Sequence, residues 1–298
     1  TAASILMDTP FVLDTGVSLW RPKNFSGRFE GPMTLRYALS RSVNTPTAKL
    51  YLDFGLAPVL ENIEKLGFTT ELPRVPALFL GAGEVTLREV TAAYSTFANH
   101  GVYVQQHTIT RVESADGEIL FEARIRQREA LDPAEAYLMT NLLNTTLVEG
   151  TGQSARWRGF AKTGAGKTGT TNEATNAWFC GFTPSFCGGV WVGFDQAVPM
   201  GRGATGAHMA LPVWASFMGK ITDAKGDEPF VRPPGIIEET VCLRSGMLAT
   251  SGCDSVAVEV FLPGRFPQDV CDVHGGQLHD FQGVDKGFKT LDDSGDEF

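Results

Sequence analysis

Three extended runs in the middle of the chain constrain its fold more than any other feature. FAKTGAGKTGTT, NAWFCGFTPS and FCGGVWVGFD follow one another between residues 160 and 195, with turn-forming residues between them. Runs of this kind, bounded by turn signals, are typical of neighbouring antiparallel strands. The sequence therefore predicts consecutive strands, and it places the second of two Lys-Thr-Gly triplets, Lys167–Gly169, inside the first strand.

Helical patterns surround these runs. Apolar residues recur at helical spacing, and the predicted helices cover 33–42, 47–54, 58–66, 84–99, 133–147 and 207–218. Gly67 is predicted to cap the third of these helices, and Asp116-Gly117 is predicted to form the turn of a hairpin. Beyond about residue 225 the chain turns Pro-rich and then acidic and aperiodic.

The composition excludes some classes of partner. The chain has 298 residues and a net charge of −9, and it contains no long basic run. A nucleic-acid binder needs clustered lysine and arginine, so nucleic acid is not a predicted partner.

The chain has no initiator Met and no stretch of 18 apolar residues, and its opening, TAASILMDTP, reads as the middle of a loop. The missing Met and the loop-like opening suggest a fragment of a longer protein.

A phosphate-binding loop is one interpretation of GFAKTGAGKTGTTN. Gly166-Lys167-Thr168 supplies the end of such a motif, but position 161, where its first glycine would stand, is Ala. The motif also requires a helix directly after the Lys-Thr pair, and the residues that follow are turn-like and then strand-like. The sequence therefore disfavours a nucleotide site.

Acyl transfer is the other interpretation. Ser42-Val43-Asn44 stands at the end of a predicted helix, and Lys167-Thr168-Gly169-Thr170 lies in the predicted strand. A Ser-x-Asn motif paired with Lys-Thr-Gly is found in penicillin-recognising serine enzymes. Around these motifs, a set of phrases resembles, in order, the transpeptidase domain of class A penicillin-binding proteins: RPKNFSGRFEGPMTLRYALSRSVNTPTAKL, LGAGEVTLREVTAAYSTFANHGVY, EGTGQSAR, AGKTGTTN, NAWFCGFTP and GVWVGFD.

The resemblance implies a fold and a domain division. The implied fold is α+β, of the serine β-lactamase and D,D-transpeptidase type, with an antiparallel sheet flanked by helices, a helical subdomain and a truncated N-terminal end. Residues 1–222 would form the transpeptidase domain and 223–282 a C-terminal extension. Residues 283–298 are predicted to be a disordered tail.

The resemblance also implies roles for the motif residues. Ser42 would relay a proton to the departing amine, Asn44 would hold a peptide carbonyl, and Lys167 would supply positive charge. The hydroxyls of Thr168 and Thr170 would bind the substrate carboxylate, and the Thr170 N–H would donate to the oxyanion. Gly169 would let the ligand approach the strand. The first triplet, Lys162-Thr163-Gly164, lies outside the phrase that carries the resemblance and is predicted to have no such role.

One departure concerns the nucleophile. The family places it in an S-x-x-K motif, and no serine of this sequence has Lys three residues later. The nucleophile is therefore expected in a missing N-terminal segment or on a companion chain, and this chain alone is expected to be inactive.

The expected partners are peptidoglycan stem peptides and β-lactams, at the periplasmic face of the inner membrane, with an anchor outside this chain. The alternative is a non-catalytic penicillin-fold scaffold or peptide-sensing module.

The cysteines leave several interpretations open. Cys242, Cys253 and Cys271 could include a disulfide or remain free thiols. Cys271-x-x-His274, with Cys253 and His279 nearby, would suit zinc, but only one tight ligand pair is visible. Cys180 and Cys187 could face each other across a hairpin, although free buried thiols are the favoured interpretation there. Neither a cofactor nor a bound metal is predicted.

Gly150-Thr151-Gly152 also has two interpretations. It could be a turn that ends the preceding helix, or it could contribute to binding near the active site.

Overall fold

The structure, a computed structural model, describes residues 1–276. Its helices are α1 (Leu35–Ser40), α2 (Asn44–Phe54), α3 (Ala57–Lys65), α4 (Leu87–Ala98), α5 (Pro133–Val148) and α6 (Gly206–Thr222). Its strands are β1 (Ile5–Asp8), β2 (Leu13–Asp14), β3 (Leu19–Trp20), β4 (Gly31–Thr34), β5 (Val102–Val104), β6 (Arg111–Glu113), β7 (Ile119–Glu122), β8 (Gln127–Glu129), β9 (Ala165–Thr170), β10 (Asn176–Phe182), β11 (Cys187–Gly193), β12 (Ile237–Cys242) and β13 (Val256–Phe261). Among the described residues, none of the helices combines the length and apolarity needed to cross a bilayer.

The three central runs form the predicted antiparallel sheet. Its strand order is β11-β10-β9, and the register sets Trp178 of β10 opposite Gly169 of β9 and Trp191 of β11. The prediction of consecutive strands is confirmed. Among the described strands β9 pairs only with β10, so its other edge is free of strand pairing.

Helices cover both faces of this sheet. A Cβ added at Gly188 would meet Met218 and Trp214 of α6, whereas one at the next residue, Gly189, would meet Thr91 of α4. Because successive strand residues point to opposite faces, α6 and α4 lie on opposite sides of the sheet. This is the predicted arrangement of helices around an antiparallel sheet.

Trp214 of α6 is the centre of the core on one face. Its ring lies 4.8 Å from the rings of both Phe160 and Phe179, and only 1% of its surface is exposed. The indole Nε1 donates to the carbonyls of Gly181 (3.2 Å) and Gly188 (3.1 Å). One side chain thus fixes the helix against two neighbouring strands and satisfies its own polar group.

Two helix starts differ from the prediction. Met33 and Thr34 belong to β4, which pairs with β1, so α1 begins only at Leu35, where Thr34 Oγ1 accepts from the Tyr37 N–H. The expected helix start at 33 is wrong because strand pairing holds these two residues extended. Helix α2 begins at Asn44, three residues before the predicted start. Its first two N–H groups, those of Asn44 and Thr45, donate to Asn24 Oδ1, a cap that is distant in sequence.

The other predicted elements agree with the structure. Helices α3 to α6 lie within the predicted ranges or extend them by a few residues, and Gly67 follows α3 with a left-handed φ of 93°. The Asp116-Gly117 turn joins β6 to β7.

Cys180 and Cys187 lie on the β10–β11 hairpin but are not directly opposite. Cys180 pairs with Gly189, and Cys187 pairs with Phe182. Both are free thiols, as the favoured interpretation held. Burial raises the pKa of Cys180 to about 12 and also raises that of Cys187.

The region after α6 contains a hairpin that the sequence did not predict. Strands β12 and β13 pair over their full length, and Val241 and Phe261 pack with Ala3 of the N-terminal segment. Arg36 of α1 forms an ion pair with Glu259 of β13 and donates to Asn141 and Thr145 of α5. The two ends of the described chain are therefore joined. The predicted tail, 283–298, and His279 lie outside the described residues.

Candidate active site

Ser42 stands in an unusual backbone conformation between two helices. Helix α1 ends at Ser40, and the N–H groups of Ser42 and Val43 donate back to Leu39 and Ala38 of that helix. The φ of Ser42 is 56°, in the left-handed region that non-glycine residues rarely adopt. Residues held in this region are concentrated at functional sites, where the surrounding structure compensates for the strain.

Lys167 of β9 contacts Ser42 directly. Its Nζ donates to Ser42 Oγ and, at 3.1 Å, to the carbonyl of Thr168. The fold thus joins the two motifs, which are 125 residues apart at this contact. Burial lowers the pKa of the Lys167 ammonium to about 8. A lysine with such a pKa can exchange a proton near neutral pH, which an ordinary surface lysine does not do.

Asn44, the other residue of the Ser-x-Asn motif, is the first residue of α2. Its amide Nδ2 donates to the carbonyl of Lys23 at 2.9 Å, and its backbone N–H donates to Asn24 Oδ1 at 3.0 Å. Asn24 is in turn held by the buried carboxylate of Asp8. An amide nitrogen carries two protons, so one N–H of Asn44 remains for a ligand.

Thr168 and Thr170 share one face of β9, opposite to that of Lys167 and Gly169. The hydroxyl of Thr168 bonds that of Thr151 at 2.6 Å, and Thr170 Oγ1 accepts from the Gly206 N–H at 3.0 Å. The Thr170 hydroxyl can still donate its own proton. The structure therefore places both threonines beside Lys167 along the strand, with each hydroxyl already in one protein contact.

Thr151 is a site residue to which the sequence analysis gave no definite role. Its N–H donates to the carbonyl of Ser40 at 3.0 Å, and a Cβ at Gly150 would collide with the same carbonyl. The loop after α5 thus connects the end of α1 to β9. The only signal in the sequence is the phrase EGTG after a long helix, which a helix-ending turn also explains.

Gly169 lies where helix α6 begins. A Cβ at Gly206 would meet the backbone oxygen and nitrogen of Gly169 and the carbonyl of Trp178, and a Cβ at Gly169 would lie 3.1 Å from Trp178 Cβ. The strand and the helix therefore approach through two residues without side chains. Close packing is a reason for glycine at 169 besides the predicted access of a ligand.

The first Lys-Thr-Gly triplet lies away from this site. Lys162 forms an ion pair with Asp223 at 3.2 Å, and the Thr163 N–H donates to Asp227 at 2.6 Å. These contacts attach the loop before β9 to the segment after α6. The residues after Lys167-Thr168 continue β9 to Thr170, so the helix that a phosphate-binding loop requires does not follow.

Comparison with known proteins identifies two family regions. Residues 4–196 match the penicillin binding protein transpeptidase domain, and residues 232–276 match the C-terminal domain of penicillin-binding protein 1A. The first match covers Ser42, Asn44 and the strand with Lys167.

Two curated relatives are similar over most of this chain. Penicillin-binding protein 1A of Pseudomonas aeruginosa is 32% identical over 93% of this chain and 40% of that protein. Penicillin-binding protein 1A of Neisseria gonorrhoeae is 35% identical over 80% of this chain and 31% of that protein. The chain thus spans well under half the length of these relatives.

Solved structures share the fold. Penicillin-Binding Protein 1A from Haemophilus influenzae superposes with a TM-score of 0.84 at 27% identity, over 91% of this chain and 46% of the other. The PonA1 protein from Mycobacterium tuberculosis, solved in complex with penicillin V, superposes with a TM-score of 0.67 at 24% identity, over 77% of this chain and 66% of the other. The predicted penicillin-binding fold is confirmed.

Proposed function

Because the chain belongs to the penicillin-binding protein transpeptidase family, we propose that it is the substrate-binding part of a D,D-transpeptidase. The reaction would transfer an acyl group from a D-Ala-D-Ala stem peptide through a serine acyl enzyme, cross-link peptidoglycan, and be inhibited by β-lactams. The observation that carries this proposal is the direct contact between Lys167 Nζ and Ser42 Oγ.

That contact supports a proton relay. Since the Lys167 ammonium donates to Ser42 Oγ, the Ser42 hydroxyl is free to donate its own proton to another group. When the peptide bond breaks, Ser42 would protonate the departing amine and take a proton from Lys167. A pKa near 8 suits Lys167 to this exchange, because its two protonation states then lie close in free energy at neutral pH.

The free edge of β9 would bind the peptide. An unpaired strand edge offers N–H and C=O groups to an extended ligand, which adds to the sheet as a further strand. The Thr170 hydroxyl, with Thr168 on the same face of the strand, would receive the substrate carboxylate, and Lys167 on the other face would add its positive charge to the field there. The second N–H of Asn44 would donate to a peptide carbonyl, and the Thr170 N–H would stabilise the oxyanion.

The nucleophile would come from outside these residues. No serine of the sequence stands three residues before a lysine, so the S-x-x-K serine would belong to a further segment or a companion chain. The 298 residues alone would then form no acyl enzyme. We place the complete enzyme at the periplasmic face of the inner membrane, where its peptidoglycan substrate lies.

The same sequence observation favours a second candidate function. A penicillin-fold module without its own nucleophile could bind stem peptides as a scaffold or sensor. It would keep the free edge of β9 as its binding surface and form no covalent adduct.

Fluorescent penicillin distinguishes the two functions. The product of the complete reading frame should be labelled covalently, and the 298-residue chain should not be. Lys167→Ala should slow labelling about 100-fold or more, as expected for loss of a proton-transfer group. Lys162→Ala, which alters the first triplet, should leave the rate unchanged. Absence of an adduct on the complete product would contradict the enzymatic proposal and favour the binding module.

A further inference from the structure

Four metal-binding side chains meet in the C-terminal region. Cys242 ends β12, Cys253 lies in the loop before β13, and Cys271 and His274 follow β13. Their ligand atoms all lie within 4.8 Å of one another. Cys242 and Cys271 are buried, while Cys253 and His274 are half-buried. Three separate stretches of chain thus bring three thiols and one imidazole to a single point, although only the pair Cys271–His274 is close in sequence.

The spacing of these atoms suits a tetrahedral ion. The Nδ1 of His274 lies 3.5 Å from Cys242 Sγ and 3.3 Å from Cys271 Sγ. With Zn–S near 2.3 Å and Zn–N near 2.0 Å, neighbouring ligand atoms of a tetrahedron are about 3.5 Å apart. We propose that Cys242, Cys253, Cys271 and His274 bind one Zn²⁺ ion. Four protein ligands leave no open position, so the site is structural and takes no part in the transpeptidase chemistry.

Groups around the cluster prepare it for a metal. Asp254 Oδ1 lies 3.5 Å from His274 Nε2, and its other oxygen accepts from Arg244 at 2.8 Å. A carboxylate beside Nε2 keeps the proton on that nitrogen and leaves the Nδ1 lone pair for the ion. The Thr250 N–H donates to Cys253 Sγ at 3.2 Å, which stabilises a thiolate. The imidazole and one sulfur thus have the outer contacts that metal ligands require.

Backbone hydrogen bonds also hold together the segments that carry the ligands. The Cys242 N–H donates to Met247, the Cys271 N–H donates to Leu248, and the Gly246 N–H donates back to Cys242. A Cβ at Gly252 would collide with the carbonyl of Gly275, so the loop before Cys253 lies directly against the segment with His274. These contacts hold the ligand-bearing segments together, and zinc would lock the stretch 271–276 onto the β12–β13 hairpin.

A disulfide explains less of this arrangement. All five cysteines of the chain are free in the structure. A bridge between any two of the three clustered thiols would leave the third unpaired and give the imidazole and Asp254 no role. Zinc uses all three thiols, the imidazole and the carboxylate. The sequence analysis predicted no bound metal because one tight ligand pair was visible, and the four-residue cluster is the reason that we now propose one.

Metal analysis of the 298-residue chain tests the proposal. The chain is purified in air without chelator or reductant, and its zinc is measured by plasma mass spectrometry. We expect about one zinc per chain, a lower melting temperature after chelation, and recovery on addition of zinc. Cobalt in place of zinc should give thiolate charge-transfer bands and the intense visible bands of a tetrahedral ion. This spectrum is recorded on the unchanged chain, so it does not depend on the folding of any variant.

Variants locate the ion. Cys253→Ser and His274→Gln should lose zinc, while Cys187→Ser, a free thiol on the central sheet, should keep it. Asp254→Asn should weaken zinc binding about 10–100-fold in chelator competition, as expected for a group that orients a ligand. A metal-free chain with a disulfide would overturn the proposal. So would a metal-free chain with five titratable thiols, or zinc that persists in both ligand variants.

Discussion

At the scale of single residues, Ser42 combines a backbone conformation that favours glycine with a side chain that makes a specific contact. The left-handed φ of 56° suits glycine, yet the hydroxyl that contacts Lys167 requires a side chain. The fold keeps a strained serine where an unstrained residue would lose the contact. Strained residues are concentrated at functional sites, so this conformation supports the role proposed for Ser42.

Paired substitutions measure that strain. Ser42→Ala and Ser42→Gly both remove the hydroxyl, but only glycine adopts a left-handed φ without cost. We expect Ser42→Gly to be more stable than Ser42→Ala by about 1 kcal/mol in urea unfolding. Ser95, inside α4, is the control, since glycine there should be the less stable substitution by about 1 kcal/mol. Equal stability of the two Ser42 variants would show that the turn is not strained.

Lys167 should make stability depend on pH. Its pKa is about 8 in the folded chain and 10.5 when unperturbed, because burial disfavours the charged form. Below about pH 8 both states carry the proton, and the cost of burying the charge is fully present. Between these two values the unfolded chain binds more protons, so the free energy of unfolding rises with pH.

Lys167→Met should remove this rise. The free energy of unfolding, measured by urea titration from pH 7 to 10.5, should increase less with pH in this variant than in the unchanged chain. Lys162, which forms the ion pair with Asp223, supplies the control. The slope of unfolding free energy against pH in Lys162→Met should equal that of the unchanged chain. If Lys167→Met has the slope of the unchanged chain, the lysine is not desolvated as inferred.

At the scale of elements, the ion pair of Arg36 and Glu259 connects the β12–β13 hairpin to α1. Glu259 is 4% exposed, and Arg36 also donates to Asn141 and Thr145 of α5. Glu259→Gln leaves a partly buried guanidinium without its counter-charge, and we expect a loss of roughly 3 kcal/mol in unfolding free energy. Arg111–Glu113 is an exposed pair, and Glu113→Gln should cost under about 1 kcal/mol. Similar small losses in both variants would mean that the connection contributes little.

The sequence predicted an element correctly where the contacts that determine its bounds are close in sequence. The strands β9 to β11 and the helices α3 to α6 were predictable, because their turns, caps and periodicity are local. The starts of α1 and α2 were not, since a paired strand fixes the first and Asn24, twenty residues upstream, caps the second. The β12–β13 hairpin was missed because Ala3 supplies part of its core.

The same reasoning applies to the candidate site. The motifs pointed to Ser42 and Lys167, and the structure brings them into contact. Their proposed catalytic roles stay predictions. Thr151 has only the ambiguous phrase EGTG as a signal and Gly206 has none, because their importance comes from contacts with Thr168 and Gly169 across the fold. Of the proposed zinc ligands, Cys253, Cys271 and His274 were recognised in the sequence as a possible group, whereas Cys242 joins them only after the chain has folded.

At the scale of the whole molecule, the boundary between the two family regions can be tested by truncation. The sequence analysis set it after residue 222, and this boundary stays a prediction. Phe230, however, packs against Phe182 of the central sheet, with 5.6 Å between ring centres, and Asp227 accepts from Thr163. The segment after α6 therefore contacts the central sheet and the loop before β9 ahead of the β12–β13 hairpin.

Two shortened chains should separate these contributions. A chain ending at Pro234 keeps Phe230 but loses Glu259 and the partners of Ala3, so we expect cooperative unfolding at a reduced melting temperature. A chain ending at Thr222 also exposes the surface under Phe230 and should melt lower still. Calorimetry measures both. Equal melting temperatures for the two chains would place the boundary at 222, as first predicted.

Trp214 gives the molecule an optical property that follows from its packing. The Trp214 indole is enclosed by Phe160 and Phe179, and its N–H donates hydrogen bonds to two carbonyls. We expect such an indole to emit at short wavelength and to be shielded from iodide quenching. Trp157, which is 70% exposed, emits at longer wavelength and is quenched readily. The chain's natural fluorescence therefore contains a shielded component that lasts only as long as α6 stays on the sheet.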